Sequence, residues 1–351
     1  MNNRKIYWIF LVLFVGLMGG CDTPDSDLSV LVDPSQLPST ERGVLAADNR
    51  FFIDAGNGIY ELLSQSNGAR TTQLVTQRSD CQFSGLAAAG SKLYAACTAS
   101  GTAINLGGQT FAMPAWSDLV RIDLARPASD PKRISTTRLG DEKLFPNGMA
   151  VNDKGDIYIT NTFGLLFRML NLFSSEVIPA IVRVRVTGES PFAIEKTSVL
   201  PAVQGGMEPN GIQIRGDRLW FVSMNVLYEA QIVSSGLRNL KKIYEADSKR
   251  VFDDFAVLPG NVLAIAEIPT PISLLAIFFP NTWPPSNAPS QLTFIATGSG
   301  PYSSCAGQMV GRYVLKGDIT PSSATAVTDA YGPALYVTDF FFGGLYRVAL
   351  D

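Results

Sequence analysis

The chain has 351 residues, 46% of them apolar and 17% charged, enough to bury a large core. Its formal net charge is −3 and it has no long basic run, which argues against nucleic acid as a partner. It contains no histidine, so Ser-His-Asp and Cys-His catalysis, His-rich zinc sites and any histidine general base are excluded.

The N-terminus opens on a short positive segment, residues 2–5, followed by an apolar run from Ile6 to Leu17. Twelve residues are too few for a spanning helix but suit the core of a signal peptide. The run ends in Leu17-Met-Gly-Gly-Cys21, which resembles a bacterial lipobox. Cleavage there removes residues 1–20 as a lipoprotein signal peptide and leaves Cys21 as the lipid-bearing N-terminus. The expected address is the bacterial cell envelope, membrane-anchored and facing the periplasm. Asp22, directly after the cysteine, resembles an inner-membrane retention signal and favours that membrane over the outer one. Residues 21–40, with their Asp, Ser and Pro, read as a tether that carries one embedded strand, residues 28–32.

From there one pattern of strand, turn and strand recurs six times, at 43–54, 84–96, 145–160, 208–223, 252–266 and 323–339. The clearest copies are Phe145-Pro-Asn-Gly-Met-Ala-Val and Glu208-Pro-Asn-Gly-Ile-Gln-Ile, each with the apolar alternation of a half-buried strand. Repeats of this size predict an all-β fold, a six-bladed β-propeller over residues 41–351. The last copy runs out at the C-terminus without an outer strand. Residues 28–32 are predicted to supply that strand, closing the ring and removing an exposed edge.

Cys81 and Cys97 flank one hairpin, and either a cross-strand disulfide or two buried free thiols fits that placement. Cys305 has no catalytic companion and reads as structural. Two apolar insertions, 163–173 and 271–285, interrupt the repeat. They read either as loops packed on the propeller or as a greasy rim or interfacial patch near the central pocket.

In a propeller, the residues that enter the innermost strands converge at one mouth of the central channel. Here they are Glu41 or Arg42, Ser84, Asn147, Asn210, Asp253 and Ser323. Two amides and one or two carboxylates aimed at one axis make an all-oxygen cage, suited to Ca²⁺ better than to Zn²⁺. A single Pro-Asn-Gly is equally a plain turn; two copies in register with Asp253 point to the cage.

On these motifs the chain resembles the SMP-30/gluconolactonase/LRE-like family of six-bladed propellers, with paraoxonases and strictosidine-synthase-like proteins as more distant relatives. The resemblance spans about residues 41–350. It implies a divalent cation, Ca²⁺ first with Mn²⁺ or Zn²⁺ as alternatives, held by Glu41, Asn210 and Asp253. Asn147 would hold substrate or a metal-bound water, and Asp253 or Asp254 would act as the catalytic base. The implied chemistry is hydrolysis of a lactone or ester. Two departures from the family pattern stand out, one at a metal ligand and one at a substrate-binding position. Glu41 stands one residue out of step with the family's Glu-Gly, and Phe145 replaces a substrate-binding arginine. That replacement disfavours sugar-acid lactones and favours a more hydrophobic small molecule. The competing reading is a non-catalytic propeller lipoprotein that binds a ligand or an envelope protein.

Overall fold

The structure, a computed structural model, describes residues 28–37, 39–65, 69–106, 109–141, 144–162, 179–201, 208–247, 250–269, 289–298, 304–316 and 319–350. The segment read as a signal peptide, Cys21 and both apolar insertions lie outside the described residues. No helix among those described is long and apolar enough to cross a membrane.

The first strand is β1 (Leu28–Val32). Blade one follows as β2 (Thr40–Leu45), β3 (Phe51–Ala55), β4 (Gly58–Ser64) and β5 (Arg70–Gln77). Blade two is β6 (Gln82–Ala89), β7 (Lys92–Leu106), β8 (Gln109–Asp123) and β9 (Ile134–Asp141). Blade three is β10 (Pro146–Val151), β11 (Ile157–Asn161), β12 (Pro179–Glu189) and β13 (Phe192–Pro201). Blade four is β14 (Pro209–Arg215), β15 (Arg218–Ser223), β16 (Val226–Val233) and β17 (Gly236–Glu245). Blade five is β18 (Arg250–Val257), β19 (Val262–Pro269), β20 (Gln291–Ala296) and β21 (Met309–Val314). Blade six is β22 (Pro321–Asp329), β23 (Gly332–Asp339) and β24 (Leu345–Ala349), with β1 as its outermost strand.

All six four-stranded sheets are antiparallel, blades one to five as sequential meanders and blade six with β1 added outside β24. The inner strands β2, β6, β10, β14, β18 and β22 lie side by side around the axis, and β22 returns to β2. The chain is therefore a six-bladed β-propeller, as the repeat predicts. Closure comes from β1, which pairs antiparallel with β24, Leu28 opposite Val348 and Val32 opposite Leu345. This is the strand that the unfinished last copy calls for.

Period-two alternation in the inner strands sends apolar side chains onto both faces of each sheet, toward the two neighbouring blades. Six buried clusters result, one at each blade interface. Met149, Ile157 and Ile159 face Ala96 and Leu139 across blades two and three, while Trp220, Val222 and Leu227 face Phe252 and Phe255 across blades four and five. Each such side chain is worth roughly 1.5–3 kcal/mol of burial, so the ring is held by its interfaces rather than by any one sheet. Cys81 and Cys97 form a buried disulfide, with 5.5 Å between their Cα atoms. Cys305 is a free, part-buried thiol packed against the cluster between blades five and six.

Candidate functional site

Every inner strand breaks register at the same level. In β10, Pro146 pairs with Asn161 and Met149 with Ile159, so Asn147 and Gly148 together oppose Thr160. The same bulge places Asn210 and Gly211 in β14, Asp253 and Asp254 in β18, Ser84 and Gly85 in β6, and Glu41 and Arg42 in β2. In β22 the shift falls at Ser322, so Ser322 rather than the sequence-based choice, Ser323, is the blade-six counterpart. A bulge re-aims the side chains it displaces.

The first residues of four of these pairs converge, and two of the contacts run between blades that are not neighbours. The Asn147 amide of blade three lies close enough to the Glu41 carboxyl of blade one to lower its pKa. Asp253 of blade five lies close enough to Glu41 to raise its pKa. The Asn210 amide Nδ2 donates to Asp253 Oδ1 at 2.6 Å. Glu41, Asn147, Asn210 and Asp253 thus meet in one place. Glu41, which looks one residue out of step in sequence, stands at the register of Asn147; it is Arg42 that occupies the position of Gly148.

A second layer holds the bulges in shape. Thr160 Oγ1 accepts from the Gly148 amide at 2.7 Å and donates to the Asn210 carbonyl of the next blade at 2.6 Å. In blade one that place belongs to Asp54, whose Oδ1 accepts from the Arg42 amide at 2.6 Å and whose Oδ2 accepts from the Gly85 amide of the next blade at 3.0 Å. Glycine at the second bulge position lets neighbouring strands approach. A Cβ on Gly148 would run into the Asn210 carbonyl, and one on Gly211 into Asp254.

The electrostatics follow from gathering four carboxyls. Burial pushes Glu41 well above its ordinary range, and the charges of Asp253, Asp54 and Asp254 add to the shift, against the nearby Asn147 amide. Asp253 is raised by burial and by Asp254, partly offset by the Asn210 amide. Asp254 is raised by burial although Arg42 opposes the shift, its Nε lying 3.2 Å from Asp254 Oδ2. Burial pushes Asp54 up to about 7 despite its two backbone donors. Asp254 Oδ1 and Asn210 Oδ1 are buried without a partner among the described residues.

One guanidinium answers Asp54, Asp253 and Asp254, and its ion pair is with Asp254. Asp54 is engaged by backbone amides. The unneutralised pair is therefore Glu41 and Asp253, flanked by Asn147 and Asn210. Two carboxylates and two amide oxygens are a hard-cation donor set, and a dication there would reverse the repulsion that raises both acids. The residues present fit such an ion. Among the described residues no cluster of three or more His, Cys, Asp or Glu side chains is arranged around a single metal position, so the amides are needed to complete the set.

Phe145 sits two residues before Asn147, part-buried, its amide held by Asn161 Oδ1 at 2.9 Å. Sequence reasoning missed Asp54 and the reach of Arg42. Asp54 could have been found by aligning Phe52-Ile-Asp54 on Tyr158-Ile-Thr160, second strand on second strand.

No protein-family model and no curated protein matches the chain. Solved structures do match it over nearly their whole length. The major allergen Mala s 1 of Malassezia sympodialis superposes with a TM-score of 0.58 at 13% identity, covering 93% of this chain and 97% of that one. Regucalcin from Agrobacterium tumefaciens, a calcium-binding protein, gives 0.52 at 13% identity over 92% and 94%. A gluconolactonase from Xanthomonas campestris gives 0.50 at 15% identity over 93% and 91%. Gluconolactonase and regucalcin structures, the relatives that the sequence motifs resemble, are thus among the proteins that share this fold. At these identities the likeness is one of architecture.

Proposed function

We propose that the axial ring is the site of a divalent-cation-dependent hydrolase acting on a lactone or ester. The observation that carries the reading is the meeting of Glu41, Asn147, Asn210 and Asp253, from four separate blades, with two like-charged carboxyls left unneutralised among amide oxygens. Glu41, Asn210 and Asp253 would hold the ion, with Asn147 at the ring to bind it or the substrate. When bound, the cation supplies Lewis-acid polarisation of an acyl oxygen. Ca²⁺ suits the all-oxygen donors, with Mn²⁺ or Zn²⁺ as alternatives.

The chain's own residues supply the rest. Asp254 is the base candidate: its Oδ2 is fixed by Arg42 while Oδ1 has no partner among the described residues. Burial raises its proton affinity, which makes it a better acceptor of a proton from water than an exposed carboxylate. Asp253, facing Glu41 and bonded to Asn210, is better placed to hold the ion than to take the proton. Phe145, where related sites carry arginine, favours an apolar substituent on the substrate over a sugar acid.

The same reading places the protein in the bacterial envelope, tethered through a lipidated Cys21 and facing the periplasm. Incorporation of labelled palmitate, lost in Cys21→Ser, checks that part. The function itself is tested with a panel of lactones and aryl esters, assayed with Ca²⁺, Mn²⁺ or Zn²⁺ and again with chelator. Turnover that requires metal and is lost in Asp254→Asn with metal binding retained is the expected result. A melting temperature that responds to chelator, with no turnover on any substrate, would instead favour a non-catalytic propeller that binds a ligand or envelope partner.

A further inference from the structure

Arg42 sets blade one apart from blades two, three and four. The equivalent residue is glycine in blades two, three and four (Gly85, Gly148 and Gly211), where there is no room for a Cβ. In blade one the position carries an arginine that is 5% exposed. Its side chain crosses the axis instead of packing on a neighbour. Nη2 donates to the Ile212 carbonyl of blade four at 3.2 Å, and Nε pairs with Asp254 of blade five. Ile212 lies two residues further along β14 than Asn210, so the guanidinium sits one level beneath the ring. Its Nη1 is buried with no partner among the described residues. A buried donor without an acceptor is costly, and here it lies directly under the proposed reaction site.

We infer that Arg42 is the floor of the axial channel and the specificity-determining donor of the site, giving Nη1 to the carbonyl oxygen of a neutral acyl compound. The word acyl rests on the hydrolase reading; the floor and the donor do not. Neutrality follows from the walls. The one guanidinium already answers three carboxyls, Asp54, Asp253 and Asp254, so a carboxylate ligand would meet like charge, whereas a carbonyl oxygen accepts the hydrogen bond and brings none. Because the guanidinium bridges opposite blades, the channel is closed at that level, and ligand enters and leaves by the mouth at Asn147 and Asn210.

The test uses the chelator-treated chain and δ-valerolactam, a neutral carbonyl compound that resists hydrolysis, with valerate as its anionic counterpart, both titrated by calorimetry. The wild type is expected to bind the lactam at least tenfold more tightly than valerate. Arg42→Lys keeps a charge beside Asp254 but has no second arm, and should lose at least tenfold in lactam affinity. The double variant Arg42→Gln with Asp254→Asn leaves no lone buried charge and should lose as much. Equal lactam binding by wild type and both variants would overturn the proposal, as would wild-type preference for valerate or no lactam binding at all. Should a variant fail to fold, the wild-type comparison of lactam with valerate decides. Failure of the hydrolase reading would show separately, as absent turnover with every metal while lactam binding persists.

Discussion

Blades one and three solve the same backbone problem with different chemistry. Both bulge at the entry of the inner strand, and both clamp the bulge amide from the second strand while reaching the next blade. Blade three does so with a hydroxyl and a glycine, Thr160 and Gly148. Blade one uses a carboxyl and an arginine, Asp54 and Arg42. Since the neutral version suffices for the fold, the charges of blade one are surplus to folding. They sit where the ring carboxyls are, and that is the argument for assigning them to the site.

The comparison can be broken at its largest expected effect by giving blade one the residue of blade three. Arg42→Gly strands Asp254 as a buried unpaired charge and should cost about 3–5 kcal/mol in chelator-treated protein. Adding Asp254→Asn should recover most of it, as urea unfolding would record. In the other direction, Gly148→Ala puts a methyl group against the Asn210 carbonyl backbone. A loss of about 1–3 kcal/mol is expected, with weaker metal binding because Asn210 must move. Thr160→Val leaves the Gly148 amide buried without its acceptor and should cost roughly 1–3 kcal/mol while sparing the charges of the site.

A further effect is one of pH. Asp54 sits at about 7 in the folded chain, above its ordinary carboxylate value, because burial disfavours its charge. The folded state therefore keeps a proton that the unfolded chain has already released. Its stabilising contribution is full below about pH 4 and is lost as pH rises through about 7. Melting temperatures of chelator-treated protein should fall over that window, and Asp54→Thr, which copies blade three, should flatten the fall.

Much of this architecture is readable from the chain. The two Pro-Asn-Gly copies survive because a bulge that must aim an amide at the axis and tolerate a close neighbour leaves little choice of residue. The closing strand is readable because a last copy without an outer partner leaves an edge to cover. Convergence of Glu41, Asn147, Asn210 and Asp253 follows once the copies are aligned. What escapes is what the repeat does not constrain. Arg42 looks like an alternative to Glu41 until the register shows both are used, one at the ring and one beneath it. Asp54 stands alone in sequence, and its partners, the Arg42 and Gly85 amides, are brought to it by the β2–β3 pairing and by the packing of β6 from the next blade. Ser322 and Ser323 differ by one step, which only strand pairing resolves.

The central claim is that the axial ring is a cation site, and the most direct measurement is a calorimetric titration of Ca²⁺, then Mn²⁺ and Zn²⁺, into metal-stripped protein. The account predicts one ion per chain for at least one of these metals, with affinity reduced at least tenfold by Asp253→Asn or Asn210→Ala. No binding of any of the three, or binding indifferent to both substitutions, would contradict it.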